Sequence, residues 1–246
     1  MDITSIFLLL IVGTIAGFLN VMAGGGSTIT LPILIFMGLD SASANGTNRL
    51  AILIQNIFAV IGFQKGKKNS LAESFKMAVF ALPGGIIGAL AAVNVSDPVF
   101  KRILAGVLIF VIFSMFLPKP SQNKPAGSNE NIWLLYASMF GIGFYGGFIQ
   151  AGVGFLLMAA LFHITNLSLV KVNAHKVFIV LIYTIPAFAV FIAADKVDWA
   201  LGFVLAAGNA AGGWISSQVQ LKKGDKIIRF ILIIVLIGMS IKLLLD

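Results

Sequence analysis

Two clusters of hydrogen-bonding side chains interrupt a chain built otherwise of hydrocarbon. Asn45, Thr47, Asn48 and Arg49 form the first. Asn173, His175 and Lys176 form the second, with Asn45 and Asn173 at a spacing of 128 (173 − 45 = 128). Amides, hydroxyls and cations are donors. On a hydrocarbon background they suit an anion, which must exchange its hydration shell for N–H and O–H groups. A cation within a membrane segment usually faces the bundle interior or a solute pathway. Two other uses stay open: Arg49 and Lys176 can snorkel to headgroups from helix ends, and Asn45 and Thr47 can cap the helix that follows.

A second constellation lies upstream of each cluster. Asn20 precedes Gly24, Gly25, Gly26, Ser27 and Thr28, a run that breaks an apolar stretch. Gly13, Gly17, Phe18 and Gly24 recur as Gly143, Gly147, Phe148 and Gly154 (143 − 13 = 130), and Gln150 stands where Asn20 predicts an amide. A helix that restarts at Ser27 presents free N–H groups and a positive dipole end, which favour an anion. The same glycines would also serve a tight turn or a close helix contact with no ligand at all. Duplicated, glycine-broken apolar helices are the pattern associated with transporter binding sites. The expected site is therefore Asn20, Gly24, Gly25, Gly26, Ser27, Thr28, Asn45, Thr47, Asn48 and Arg49, faced by Gln150, Asn173 and His175.

The carboxylates are Asp2, Asp40, Glu73, Asp97, Glu130, Asp195, Asp198, Asp225 and Asp246. None falls at the centre of an apolar run, where proton- and sodium-driven carriers often keep one. Glu73, near a helix entry, is the one to test for coupling. His175 can titrate near neutral pH or serve as a hydrogen-bonding histidine. An intramembrane hydrolase using Ser27 and His175 is the enzyme alternative, but Ser27 already has a role at a helix start. With His163 and His175 as the only histidines, no H-E-x-x-H and no cysteine, neither a metal site nor a cofactor is expected.

The elements that must carry these groups follow from composition. The 246 residues are 59% hydrophobic and 11% charged, with mean hydropathy +1.02. A soluble domain of this length would need far more charge. The chain is therefore expected to be an all-α polytopic membrane protein, with the lipid bilayer as its surroundings. Its net charge of +8 sits in connectors and at helix ends, which fits headgroup contact rather than nucleic acid. The N-terminus lacks a basic n-region and a cleavage site and is read as an uncleaved first span.

Spans are expected at 3–22, 47–63, 75–93, 100–117, 132–150, 173–192, 199–219 and 227–244, with short apolar pieces at 28–37 and 155–163. A piece of about 10 residues covers half the hydrocarbon thickness. Each is therefore read as a re-entrant half-helix, which gives two homologous four-span halves in parallel. If the short pieces cross obliquely, each half has five spans and the repeats invert. The halves are 1–117 and 131–246, joined by a polar, proline-containing linker at 118–130. Gly84–Gly88 and Gly208–Gly212 add a second G-x-x-x-G pair to each half, a spacing that lets helix backbones approach closely.

The stretch from Gly17 to Leu50, GFLNVMAGGGSTITLPILIFMGLDSASANGTNRL, resembles the TauE/SafE sulfite exporter family, with a weaker echo from Gly143 to His175. The second half departs from the family pattern in having GVGFLL where a fuller glycine run and a proline are expected. The resemblance implies a multi-pass protein of the inner cell membrane. It would export or exchange a small sulfur-containing or organic anion, such as sulfite or an organosulfonate. Alternating access about a central site is the expected mechanism, and a passive anion channel is the competing one.

Overall fold

A computed structural model describes residues 3–66, 71–114, 132–165, 167–228 and 230–231. The described residues are helical throughout: α1 (Ile3–Met22), α2 (Ser27–Phe36), α3 (Ser41–Gln64), α4 (Leu71–Val93), α5 (Asp97–Ser114), α6 (Ile132–Phe148), α7 (Val153–Thr165), α8 (Leu169–Ala193) and α9 (Trp199–Lys223). Among them α1, α3, α4 and α8 are long and apolar enough to cross a bilayer. The expected linker and nearly all of the last expected span lie outside the described residues.

Local sequence explains where the helices start and stop. Asp40 opens α3 by accepting from the amides of Ala42 and Ser43 at 3.1 Å. Ser168 opens α8 and Asp198 opens α9 in the same manner. The chain therefore enters α3 at Ser41, upstream of the expected Thr47, because capping rather than hydropathy sets the boundary. Gly24 (φ +100°) lies in the turn after α1, and Gly152 (φ +74°) in the turn after α6; both adopt a backbone that glycine takes without penalty.

The burial pattern is that of a membrane protein. Phe7 is 62% exposed and Ile11 59%, while Arg49, Asn45, Asn48 and Asn173 are fully buried. Hydrocarbon outside and amides inside are stable only where the surroundings are themselves hydrocarbon.

The glycine pairs interlock. A Cβ on Gly13 or Gly17 of α1 would strike the α9 backbone, and one on Gly208 or Gly212 of α9 would strike α1. In the same way, Gly143 and Gly147 of α6 meet α4, and Gly84 and Gly88 of α4 meet α6. The helices of residues 3–93 thus pack on those of 132–223 rather than on their own neighbours, and the partners correspond: α1 with α9 as α6 with α4, and α3 with α9 as α8 with α4.

Helix directions correct the expectation of four spans per half. Leu10 lies at Gly208 and Thr14 at Gly212, so α1 and α9 are parallel. Gly46 lies at Lys196 and Gly62 at Ser217, so α3 runs the same way. Four spans per half require α1 and α3 to be antiparallel. They are not, because α2 starts beside Asn48, near the start of α3, and carries the chain back toward the end where α3 begins. By the same reasoning α4, α6 and α8 run together, opposite to α1, α3 and α9. α1 therefore runs opposite to α6 and α3 opposite to α8, the helices related by the 130- and 128-residue spacings.

Candidate substrate site

The two breaks meet in the middle of the bundle. A Cβ on Gly24 would lie 2.2 Å from the carbonyl carbon of Gly154, and one on Gly154 would lie 2.3 Å from the Cα of Gly24. Residues paired in sequence thus touch in space, and the first turns of α2 and α7 start from a common point.

The start of α3 reaches across to the end of α6. The Asn45 amide donates to the Phe148 carbonyl at 2.8 Å. The Arg49 guanidinium donates through one Nη to the Gly147 carbonyl and through the other to Gln150 Oε1 at 3.3 Å. It also lies over the Phe191 ring, 4.6 Å from its centroid. The start of α8 does the same to the end of α1. The Asn173 amide donates to the Met22 carbonyl at 3.0 Å, and Lys176 Nζ donates to the carbonyls of Asn20 and Val21 at 3.1 and 3.0 Å. Helix C-termini leave carbonyls unpaired and carry a negative partial charge. Both cations therefore stabilise broken helix ends from across the bundle.

Arg49 and Lys176 thus lie in the interior, and neither snorkels. Asn45 does not cap its own helix. Thr47 takes the amide of Asp198 at 2.9 Å and ties the start of α3 to that of α9. Asn48 joins the first turn of α2, accepting from Thr30 at 2.7 Å and donating to Ser27 Oγ at 3.3 Å. Thr28 donates to the Gly25 carbonyl. Asn20 donates to Gln55 Oε1 at 3.3 Å, and Gln150 donates to the Tyr183 hydroxyl at 3.3 Å. His175 shares a 2.7 Å hydrogen bond with Ser74 at the start of α4, so it stands apart from Arg49 and from Ser27. Asn20, Gly24, Gly26, Ser27, Asn48 and the end of α6 are gathered around the meeting point; Asn173 and His175 flank it at the end of α1 and the start of α4.

Nearly all these polar side chains are sealed off. Ser27, Asn45, Asn48, Arg49, Gln150, Asn173 and Lys176 are each no more than 2% exposed. Among the described residues, no carboxylate lies in ion-pair reach of Arg49 or Lys176. No group of three or more potential metal ligands gathers among them either.

Three residues matter more than the sequence reading allowed. Tyr183 partners Gln150, and it falls 128 positions after Gln55 (183 − 55 = 128), the register that links Asn45 to Asn173. Asp97 accepts the Ser41 amide at 2.7 Å, and Asp225 accepts the amides of Leu169 and Val170 at 3.0 Å. The two first contacts have equal sequence separations (97 − 41 = 56 and 225 − 169 = 56).

A helical bundle with hydrocarbon outside, amides inside, two buried cations that meet no carboxylate among the described residues and two opposed helix breaks fits a membrane transporter. The chain belongs to the TauE/SafE sulfite exporter family, whose model matches residues 9–243. It is similar to the probable membrane transporter protein YfcA of Escherichia coli, 33% identical over 97% of this chain and 89% of that protein. It is also similar to the probable membrane transporter protein ORF9 of Sinorhizobium, 30% identical over 97% and 92%. A probable membrane transporter protein of Haemophilus influenzae is 27% identical over 97% and 94%. No solved structure matches the chain. The relatives are named probable membrane transporters, and by its family this chain is a membrane transporter rather than an enzyme.

Proposed function

We propose that the protein exports a small sulfur-containing or organic anion, of the sulfite and organosulfonate class, across the inner cell membrane by alternating access. One observation carries the reading. Arg49 and Lys176 are two buried cations without a carboxylate among the described residues. An uncompensated charge in a hydrocarbon interior is costly, and a bound anion supplies the missing countercharge. The helix breaks at Gly24–Thr28 and at Gln150 provide the further donors.

The two halves act as inverted repeats, with α1–α4 answered by α6–α9 in opposite directions and a short second segment in each. This replaces the parallel arrangement, and it places the α1–α2 and α6–α7 breaks on one axis in the membrane plane. An anion at that point competes with the Gly147 carbonyl for Arg49 and with the end of α1 for Lys176. Binding then loosens the bonds that hold the broken helices to the opposite half. Substrate and motion are coupled through the same donors, without a deep carboxylate. A passive pore needs a continuous wet path, and the sealed cluster speaks for a carrier.

The test is thermal unfolding of the purified protein with sulfite, sulfate, thiosulfate, ethanesulfonate or acetate. A ligand at one hundred times its Kd stabilises by about 2.7 kcal/mol. Sulfite or ethanesulfonate is expected to raise the midpoint of the parent. Arg49→Ala is expected to lose that shift, and the surface variant Lys101→Ala to keep it. Equal shifts for the parent and Arg49→Ala would remove Arg49 from the site. Saturable counterflow in proteoliposomes is expected, and unsaturable conductance would establish the channel instead.

A further inference from the structure

Each half has one more polar pair, and the two differ in a way that marks a second site. Under the correspondence of Asn20 with Gln150 and Gln55 with Tyr183, the Asn20–Gln55 bond is the counterpart of Gln150–Tyr183. In the second half the Tyr183 ring packs against Gly85 of α4, 3.1 Å from where a Cβ would stand. There the position is filled by a phenol.

In the first half the position is held by Gln55, whose amide is only half used. Gln55 spends its oxygen on Asn20, and its Nε2 has no partner. The α9 residue that corresponds to Gly85, in the register of Gly208 with Gly84 (208 − 84 = 124), is Asn209 (209 − 85 = 124). Asn209 is 1% exposed, and neither atom of its carboxamide has a partner. Its backbone lies against Gly17 of α1, one turn before Asn20. Gly213, the next turn of α9, packs against Gln55 and Val21. Asn20, Gln55 and Asn209 therefore converge from three helices.

Leaving a buried amide donor unmade costs roughly 1–3 kcal/mol, and the adjoining faces of α3 and α9 carry two such donors, Gln55 beside Gly213 and Asn209 one turn before it. We propose that Gln55 and Asn209 form a second, uncharged binding position for the transported anion, whose oxygens take the two open amide donors. This rests on the transport reading above. Further along α9, Ser216 and Gln220 are buried as well, and the Gln220 amide is already committed to Asn173, the Val21 carbonyl and Ser216. In the same register the α4 side offers Gly85 for Asn209, Ala89 for Gly213, Ala92 for Ser216 and Ser96 for Gln220. The difference between the halves is therefore concentrated at Asn209 and Ser216, which correspond to Gly85 and Ala92 in the register. An anion leaving the central cations meets the open amides of Gln55 and Asn209 on the α9 side, where the α4 side has Gly85 and the Tyr183 ring.

The chain has no cysteine, so a single introduced thiol reports cleanly. Asn209→Cys in proteoliposomes is treated with the anionic reagent sulfonatoethyl methanethiosulfonate and with its cationic trimethylammonioethyl analogue. The anionic reagent is expected to react at least about tenfold faster, as a donor-lined cleft concentrates anions. Ala89→Cys, on the α4 face, is expected to stay unreactive. Gln55→Cys serves as a second reporter if Asn209→Cys elutes as an aggregate. No labelling at either position, equal rates for the two reagents, or equal labelling at Ala89→Cys would each overturn the proposal. Labelling is read without substrate. Sulfite stabilisation that survives in Arg49→Ala would therefore overturn the central-site reading alone. Lost charge selectivity at Asn209→Cys with Arg49 dependence intact would overturn the second site alone.

Discussion

Gly24 and Gly154 stand 130 positions apart in the chain (154 − 24 = 130) and meet backbone against backbone, with no room for a side chain on either. The contact fixes the distance between the two helix breaks. Alanine at Gly24 would also be strained by its positive φ. Gly24→Ala is expected to destabilise the fold by more than about 3 kcal/mol, among the larger single-site effects. Gly141, a helical glycine with nothing within 4 Å of a Cβ, is the control: Gly141→Ala is expected to leave stability unchanged or raise it by about 0.5–1 kcal/mol. Thermal unfolding in detergent measures both.

Arg49 holds two acceptors on different groups, the Gly147 carbonyl and the Gln150 amide oxygen, and it stacks on Phe191. A lysine ammonium keeps the charge but loses the planar fork and the stacking. Arg49→Lys is expected to weaken sulfite stabilisation by at least about tenfold in apparent Kd, about 1.4 kcal/mol, while remaining folded. Isothermal titration of the parent and the variant gives the comparison. Unchanged affinity would mean that charge alone suffices.

How much of this was readable in the sequence depends on how local the cause is. Composition and apolar run length sufficed for the membrane class, and paired glycines for the location of the two breaks. The direction of α2 was not readable. Ten apolar residues fit a re-entrant piece and a returning one equally well, and its direction is set by Asn48 reaching Ser27 and Thr30 from another helix. The types of Arg49 and Lys176 announce donors. Their present acceptors are the ends of α6 and α1, 98 or more positions away, which no local pattern encodes. Tyr183 escaped because an aromatic in an apolar helix reads as core, although the 128-residue register with Gln55 marked it.

The start of α3 is sensitive to pH through Asp40. Partial burial pushes its carboxyl upward, but the Ser43 hydroxyl and amide and the Lys196 ammonium outweigh this and hold it below its ordinary value. A carboxyl lowered on folding stabilises the fold above its unfolded value, and the contribution fades as pH falls through the folded one. The parent is therefore expected to lose stability below about pH 4, and Asp40→Asn to show a shallower decline. Unfolding midpoints between neutral pH and pH 3 decide it. Parallel curves for the two proteins would mean that Asp40 contributes nothing to the acid limb.

Asn45 and Asn173 offer the sharpest check on the exchange of partners between halves. Each donates its amide to the last carbonyl of a broken helix that belongs to the other half, Phe148 and Met22 respectively. Leucine or alanine there would leave a buried carbonyl unpaired, at a cost of roughly 1–3 kcal/mol. Asn45→Ala and Asn173→Ala are each expected to destabilise by about that amount. The two contacts share no residue. If they act independently, the double variant should lose the sum within about 0.5 kcal/mol. If the broken helices shift as one body about Gly24 and Gly154, the second substitution should cost much less than the first. Chemical unfolding of the four proteins separates these outcomes. Strong non-additivity would tie the two ends of the site into one moving element, as alternation between the membrane faces requires.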